Sequence, residues 1–423
     1  MSLIDSQSKN GVDVFLLYPS GVRLFSKMQI KKCRKAGNVG VFKIINPMPV
    51  PLLYGVKDPA DLMDESMIDE GNIAEFISTL SPDVLHIHTF MGLPRILLYV
   101  ARKQGIKIVY TTHDYFGLCL KVNFIDNLGA LCEYPEHSHC AICNKDSHGT
   151  RFLKLRNEPF LSHLKSLHSY CASVKRHGTG AATIYKKEMD GVAGPKILDY
   201  SLLADYYMDM FNMIDRYHFN SSVSMQVYTG LLPGIHGTVI PITHSGIKDN
   251  RRLKKFSDKT LRIGFIGHID PYKGFDVLKR AVLKTDGCFT LNVWGNRIKG
   301  VDNDSDKIRF CGLFDYSQQA NVYENMDILM VPSIWKETFS LVVLEALSYG
   351  VPVIVSKNVG AKDIVAEYNP NFIYNTEDNL RILLNAIMHD RNILVAFNKR
   401  ILEGEWKYSM TRHISDIKRK LYM

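Results

Sequence analysis

The chain has 423 residues and carries 52 Lys+Arg against 43 Asp+Glu, a formal net charge of +9 at pH 7. At about 150 residues per domain, that length predicts two or three domains. With 46% hydrophobic and 22% charged residues, the composition excludes wholesale disorder. The positive surplus favours anionic partners without selecting among nucleotides, phospholipid headgroups and nucleic acid.

No stretch approaches the roughly 18 consecutive apolar residues of a membrane-spanning helix. The first ten residues lack the apolar segment of a secretion signal. A cytoplasmic protein is therefore expected, with peripheral contact at the inner membrane face as an option. In that reducing setting the eight cysteines are expected as free thiols or metal ligands rather than disulfides.

In chain order, residues 12–18 read as a short strand, closed by Pro19, Ser20 and Gly21, with a helical pattern after it. Within that pattern Lys27, Lys31, Lys32, Arg34 and Lys35 accompany Leu24, Phe25, Met28 and Ile30. The stretch reads either as a basic amphipathic helix suited to anionic lipid or as the solvated face of the first helix. Residues 83–88 and 107–112 read as buried strands. The helix between them, over 92–104, carries Leu93, Ile96, Leu97 and Val100 at helical spacing and stops at Gly105.

The stretch 119–218 is less regular, and 244–260 is polar, basic and without a stable period, as a linker would be. Beyond it, strands are predicted at 261–267, 290–294, 308–310, 328–331 and 352–355. Helices are predicted at 275–283 and from about 338–340 to Gly350, with a last helix over 406–422. Short apolar runs alternating with helices predict two doubly wound α/β domains with parallel sheets.

The most informative segment runs from Val331 to Pro352. A strand ends at Pro332, and the helix that follows is apolar nearly all round except for Glu345. A lone buried carboxylate is costly unless something binds it. A helix N-terminus at Phe339, Ser340 and Leu341 is a ready site for a diphosphate. Glu345, one turn further in, is placed to accept hydrogen bonds from hydroxyls beyond the phosphates. Glu337, on the loop before the helix, is placed to face the group on the other side. The competing reading leaves Glu337 solvated and pairs Glu345 with an Arg or Lys.

A second block ends the strand at 261–267 in Gly267, followed by His268, Lys273 and Gly274. Gly267 permits close backbone approach, and Lys273 puts a cation where a diphosphate would lie. In the first half, His86, His88 and His113-Asp114 stand at or just past strand ends, the edge where open α/β sheets place ligands. Cys119, Cys132, Cys140 and Cys143 close on a C-x2-C of chelating spacing. Four thiolates suit a structural zinc, with His137 or His139 as substitutes, and reduced free thiols are the equal alternative. Such a closed site leaves catalysis independent of the metal. Asp302, Asp304 and Asp306 read as a solvated turn.

Glu337 and Glu345, with Asp327–Ser333, Thr338-Phe339, Leu344, Ala346 and Gly350–Ile354 around them in order, resemble the E-x7-E motif of retaining, nucleotide-sugar-dependent glycosyltransferases of family 4. The resemblance implies the GT-B fold, two Rossmann-like domains facing a central cleft. It places an acceptor-binding domain over 1–245, a nucleotide-sugar-binding domain over 260–404, and a helix over 405–423 that crosses back. It assigns Glu337 to the donor sugar, Glu345 to the ribose, and Lys273 to the phosphates. His268 stands where the family has an arginine.

The family also carries H-x-H and T-x-H-D elements, so His113 is expected to be catalytic, with His88 in a lesser cleft role. Gly21 stands alone where many members have two glycines. The implied activity is retaining transfer from a nucleotide-diphosphate sugar to a glycan, lipid-linked or other hydroxyl acceptor in polysaccharide or glycoconjugate synthesis. No cofactor is expected to be needed. A nucleotide-sugar epimerase or phosphorylase would share the architecture. A nucleic-acid-binding protein rests on the net charge alone and lacks aromatic–basic signatures, so no nucleic-acid partner is expected.

Overall fold

The computed structural model describes residues 2–23, 26–33, 37–133, 135–156, 194–296 and 306–423. Leu24, Phe25, Arg34, Lys35, Cys171, Asp302 and Asp304 lie outside the described residues. Backbone proximity divides the chain into two units. One is Met1–His218 with Tyr228–Thr238 and Asp416–Met423; the other is Phe219–Val227 with Val239–Ser415.

In the first unit, β1 (Phe15–Pro19), β2 (Gln29–Lys32) and β3 (Gly40–Ile45) form one sheet in the order β1-β3-β2. The helix expected after Gly21 is absent from the described part of that stretch: Gln29–Lys32 is a strand, antiparallel to β3 with Ile30 opposite Ile44. Tertiary pairing overrides the helical spacing here. β3 buries Phe42, Ile44 and Ile45 and is already paired with β1 on its other side. The strand that completes it lies at an edge, where lysines are well tolerated. The amphipathic-helix reading of the basic cluster therefore falls.

A second sheet holds β4 (Val84–Ile87), β5 (Lys107–Thr111), β6 (Arg216–Phe219) and β7 (Gly237–Val239) in chain order, with β4, β5 and β6 parallel. The helix between β4 and β5 spans Arg95–Lys103. It starts later than the apolar spacing suggested because Pro94 disfavours helical geometry in the residue before it. The helices not anticipated include Ser2–Lys9, Glu70–Leu80 and the long Gly194–Asn212. The final helix runs over Met410–Ile417 and widens into a π-turn over Lys418–Tyr422. It begins only after Ser409, whose hydroxyl accepts from the Arg412 N–H. Tyr422 bonds Gln7 and His86 within the first unit.

The second unit is one six-stranded sheet of β8 (Leu261–Ile266), β9 (Phe289–Trp294), β10 (Ile308–Gly312), β11 (Ile328–Val331), β12 (Val353–Ser356) and β13 (Ile373–Tyr374). The order is β10-β9-β8-β11-β12-β13, with every pairing parallel. Such a sheet must be covered on both faces. Phe275, Leu278, Val282, Val343, Leu344 and Leu347 from the two helices nearest its centre are all buried against it.

Polar groups pin the unit where apolar packing cannot. Asn398 is fully buried. Its amide donates to the Gly350 and Arg252 carbonyls at 2.7 and 3.1 Å and accepts from the Lys254 N–H at 3.1 Å. It thus ties the linker to the end of the Leu341–Ser348 helix. Asn398→Leu, of similar size, leaves those backbone groups unpaired and is expected to cost about 2–4 kcal/mol. Trp294, Trp335 and Trp406 all lie in this unit, so fluorescence-detected urea unfolding reads the loss directly; an unchanged midpoint would contradict it.

In the first unit, burial pushes the Asp114 carboxyl above the ordinary carboxylate range, against bonds from the Phe116 N–H and Thr89. The folded state then holds this proton more tightly than the unfolded chain, so this group's contribution to stability falls as pH rises above about 4. Asp114→Asn keeps an acceptor for Phe116 without the charge. It is expected to raise the first unit's melting temperature at pH 7 and to leave it unchanged near pH 3, as followed by tyrosine near-UV dichroism.

Candidate functional site

The sheet of the second unit reverses its winding between β8 and β11, and the loops at their C-terminal ends meet there. Such a switch point is the general ligand position in open parallel sheets. Gly274 sits at φ 74°, and a Cβ on it would fall 1.9 Å from the Pro332 carbonyl oxygen. Only glycine lets the loop after β8 lie this close to the loop after β11. The Ile334 N–H donates across to the Tyr272 carbonyl at 2.9 Å. At the neighbouring strand end, a Cβ on Gly295 would lie 2.0 Å from the Gly267 carbonyl oxygen. Exposed His268 is joined to Asn296 through Nδ1 at 2.9 Å.

This approach brings two of the predicted residues into contact. Lys273 Nζ donates to Glu337 Oε1 at 2.7 Å, and Ser333 Oγ donates to Oε2 at 2.6 Å. Glu337 is buried, at 7% exposure, so the solvated alternative is excluded. Its loop is fixed from behind: the Glu337 N–H donates to Asn358 O, and the Gly360 and Ala361 N–H groups donate to Glu337 O and Phe339 O. The ammonium of Lys273 also lies 5.4 Å from the Trp335 ring centroid. A carboxylate held by one cation and one hydroxyl in a partly desolvated setting is a rigid element.

The helix after this loop spans Leu341–Ser348. It ends as a Schellman motif: the Val351 N–H reaches Ala346 O and the Gly350 N–H reaches Leu347 O, with Gly350 at φ 75°. Its start is unusual. Ser340 holds φ 94° without being glycine, and no side chain caps the helix. A non-glycine residue in that region is strained, and such strain clusters at functional sites. Phe339 is a core residue at 2% exposure, so it can serve a ligand only through its backbone.

Glu345 is partly buried, with 17% of its side chain exposed. Among the described residues it pairs with neither Arg nor Lys: Tyr323 OH donates to Oε2 at 2.9 Å, and His244 Nε2 lies 3.3 Å from Oε1. Burial pushes the Tyr323 phenol well up, the Glu345 charge adding to it, so the phenol remains a donor. Reading along the chain missed Ser333, His244, Tyr323 and Asn296. Only Ser333, four residues before Glu337, was near enough in sequence to suggest itself.

In the first unit, His88 Nδ1 and His113 Nε2 share a hydrogen bond at 2.9 Å, both rings exposed at strand ends. His86 stacks on His88 at 4.4 Å and bonds Tyr422 OH and Thr111 Oγ1 at 2.7 and 2.6 Å. Thr111 also bonds His218 at 2.9 Å. These bonds tie His86 into the fold. The Gly21 carbonyl accepts the Asn46 N–H at 3.1 Å.

The four expected zinc ligands Cys119, Cys132, Cys140 and Cys143 do line one small cavity, with Asp126 and His139. Among the described residues, however, no three His, Cys, Asp or Glu side chains converge closely enough to hold a metal ion. Burial holds the Cys119, Cys140 and Cys143 thiols above their ordinary range, and the neighbouring thiols raise Cys119 and Cys140 further.

Residues 247–401 match the family model of glycosyl transferases group 1. Two curated relatives are uncharacterized proteins in the cps region of Klebsiella pneumoniae. One is 27% identical over 34% of this chain and 42% of its own length, the other 23% identical over 71% and 64%. The chain thus spans less than two thirds of either relative. A D-inositol 3-phosphate glycosyltransferase of Mycobacteroides abscessus is 30% identical over 27% of this chain and 29% of its own.

Among solved structures, sucrose-phosphate synthase from Thermosynechococcus elongatus has a TM-score of 0.55 at 12% identity, covering 99% of this chain and 90% of that one. HepE of Anabaena, solved with UDP and glucose, has a TM-score of 0.50 at 14% identity over 90% and 85%. No helix among the described residues is long and apolar enough to cross a membrane. The fold is that of the GT-B glycosyltransferases, with a glycosyl transferases group 1 domain over residues 247–401.

Proposed function

We propose that the protein is a glycosyltransferase that takes a nucleotide-diphosphate sugar as donor and transfers the sugar with retention to a hydroxyl acceptor. The observation that carries this reading is the Lys273–Glu337–Ser333 cluster at the β8/β11 switch point, immediately before the uncapped start of the Leu341–Ser348 helix. A cation, a rigid carboxylate and uncapped helix N–H groups in sequence match the chemistry of a diphosphate with a hydroxyl-bearing group on either side.

In this proposal Lys273 and the N–H groups at Ser340 and Leu341 hold the diphosphate, and Gly267 lets the backbone approach it. His268 adds a hydrogen-bonding ring beside it. Glu337 orients the transferred sugar, and Glu345 accepts from the ribose. The anomeric bond to the diphosphate oxygen breaks, and the new bond to the acceptor oxygen forms on the same face. The acceptor proton passes to the leaving diphosphate, so the protein contributes positioning and electrostatic stabilisation rather than a strong base.

His113, steadied by His88, is proposed as the catalytic histidine, and Gly21 as part of acceptor recognition. The cps-region relatives support an acceptor in cell-surface polysaccharide or glycoconjugate synthesis, a glycan or a lipid-linked sugar.

The test is a screen of nucleotide-sugar donors with cell-surface glycan and lipid-linked acceptors, reading released nucleoside diphosphate and the anomeric configuration of the product. Glu337→Ala and Lys273→Ala are each expected to lower kcat/KM by about 100-fold or more, with a retained single cooperative unfolding transition by fluorescence as the folding control. Full turnover in both variants would refute the site. An inverted product would refute retention alone.

A further inference from the structure

Glu345 is held from two sides, and one of them lies far away in sequence. The chain makes a tight turn at His244–Ile247, closed by the Ile247 N–H on the His244 carbonyl at 3.0 Å. Inside it the Gly246 N–H donates to His244 Nδ1 at 3.1 Å. A ring nitrogen that accepts there carries no proton, so the neutral imidazole has its proton on Nε2. That nitrogen is the one 3.3 Å from Glu345 Oε1.

The turn is itself anchored. Tyr316 OH donates to the Gly246 carbonyl at 2.5 Å, and a Cβ on Gly246 would fall 2.6 Å from that phenol oxygen and 2.9 Å from the His244 ring. On the other side Tyr323 OH donates to Glu345 Oε2 at 2.9 Å, and the Tyr323 ring stacks on Tyr349 at 5.3 Å.

Each carboxylate oxygen offers about two lone-pair sites. One donor on each leaves one site free on each, an arrangement matched to two adjacent hydroxyls. The side chains of Glu345 and His244 are 17% and 28% exposed, so the carboxylate is reachable. We infer that His244, together with Tyr323, is a positioning residue that fixes the Glu345 carboxylate for two-pronged recognition of a vicinal diol, the 2′ and 3′ hydroxyls of the donor's ribose. The inference rests on the proposed nucleotide-sugar function. His244 itself acts through Glu345.

The readout is discrimination rather than affinity alone. Calorimetric titrations of the full chain compare whichever of UDP, GDP and ADP binds tightest with its 2′,3′-dideoxy analogue. The wild-type protein is expected to prefer the ribose form by about tenfold or more, since the lost bonds end on a charged acceptor. His244→Phe, of similar size without a donor, is expected to reduce that ratio to about threefold or less while affinity for the dideoxy form stays within about twofold. His244→Gln, which restores an N–H, should recover part of the ratio. Tyr323→Phe is the parallel variant should His244→Phe unfold.

Equal weakening of both ligands in His244→Phe, or an unchanged ratio, overturns the positioning role. A wild-type protein that binds without preferring ribose overturns the diol assignment while leaving Lys273 and Glu337 as the donor site. Absence of binding by UDP, GDP and ADP overturns the donor reading and this inference with it.

Discussion

The second unit is organised by the contact between Gly274 and Pro332. A side chain of even one carbon at Gly274 would overlap the Pro332 carbonyl oxygen, and the backbone there holds a left-handed conformation that glycine adopts at little cost. Because the loops after β8 and β11 touch, Lys273 reaches Glu337 across the switch point. Because Glu337 is then fixed, the chain leaves its loop at a set angle and enters the Leu341–Ser348 helix through the strained Ser340. The Lys273–Glu337–Ser333 cluster depends on that one close approach.

The two carboxylates of the E-x7-E spacing are handled differently, and the difference is informative. Glu337 is buried, with an ammonium on one oxygen and a hydroxyl on the other holding it in place. Glu345 meets single-point partners, a phenol and an imidazole, and stays partly open. A full ion pair with Arg would have occupied both oxygens in a fork and left little for a ligand. Single-point donors steady the group while leaving lone pairs free.

The first unit shows where periodicity is a poor guide. Residues 24–35 have helical spacing of apolar and basic side chains, yet the described part is an edge strand. β3 presents a free ladder of backbone groups, and filling it outweighs a weak local preference. The histidines are a contrasting case. Their location at strand ends was readable from the chain, but that His86 is bound to Tyr422 and Thr111 while His88 meets His113 depended on which rings the fold brought together. The cysteines likewise gather about one small cavity, beside Asp126 and His139.

The sequence by itself determined the parallel α/β architecture and the order of motifs, because strand runs, glycine stops and the E-x7-E spacing are local patterns within a few turns of one another. It also singled out Lys273, Glu337 and Glu345 as chemically conspicuous. Only the tertiary structure decided their partners: Lys273 with Glu337 across 64 residues, and His244 with Glu345 across 101. Which groups meet at a strand end depends on the sheet order β10-β9-β8-β11-β12-β13, and no local periodicity encodes that order. Buried charges must find donors wherever the fold supplies them, so the chemistry was legible before the geometry that steadies it.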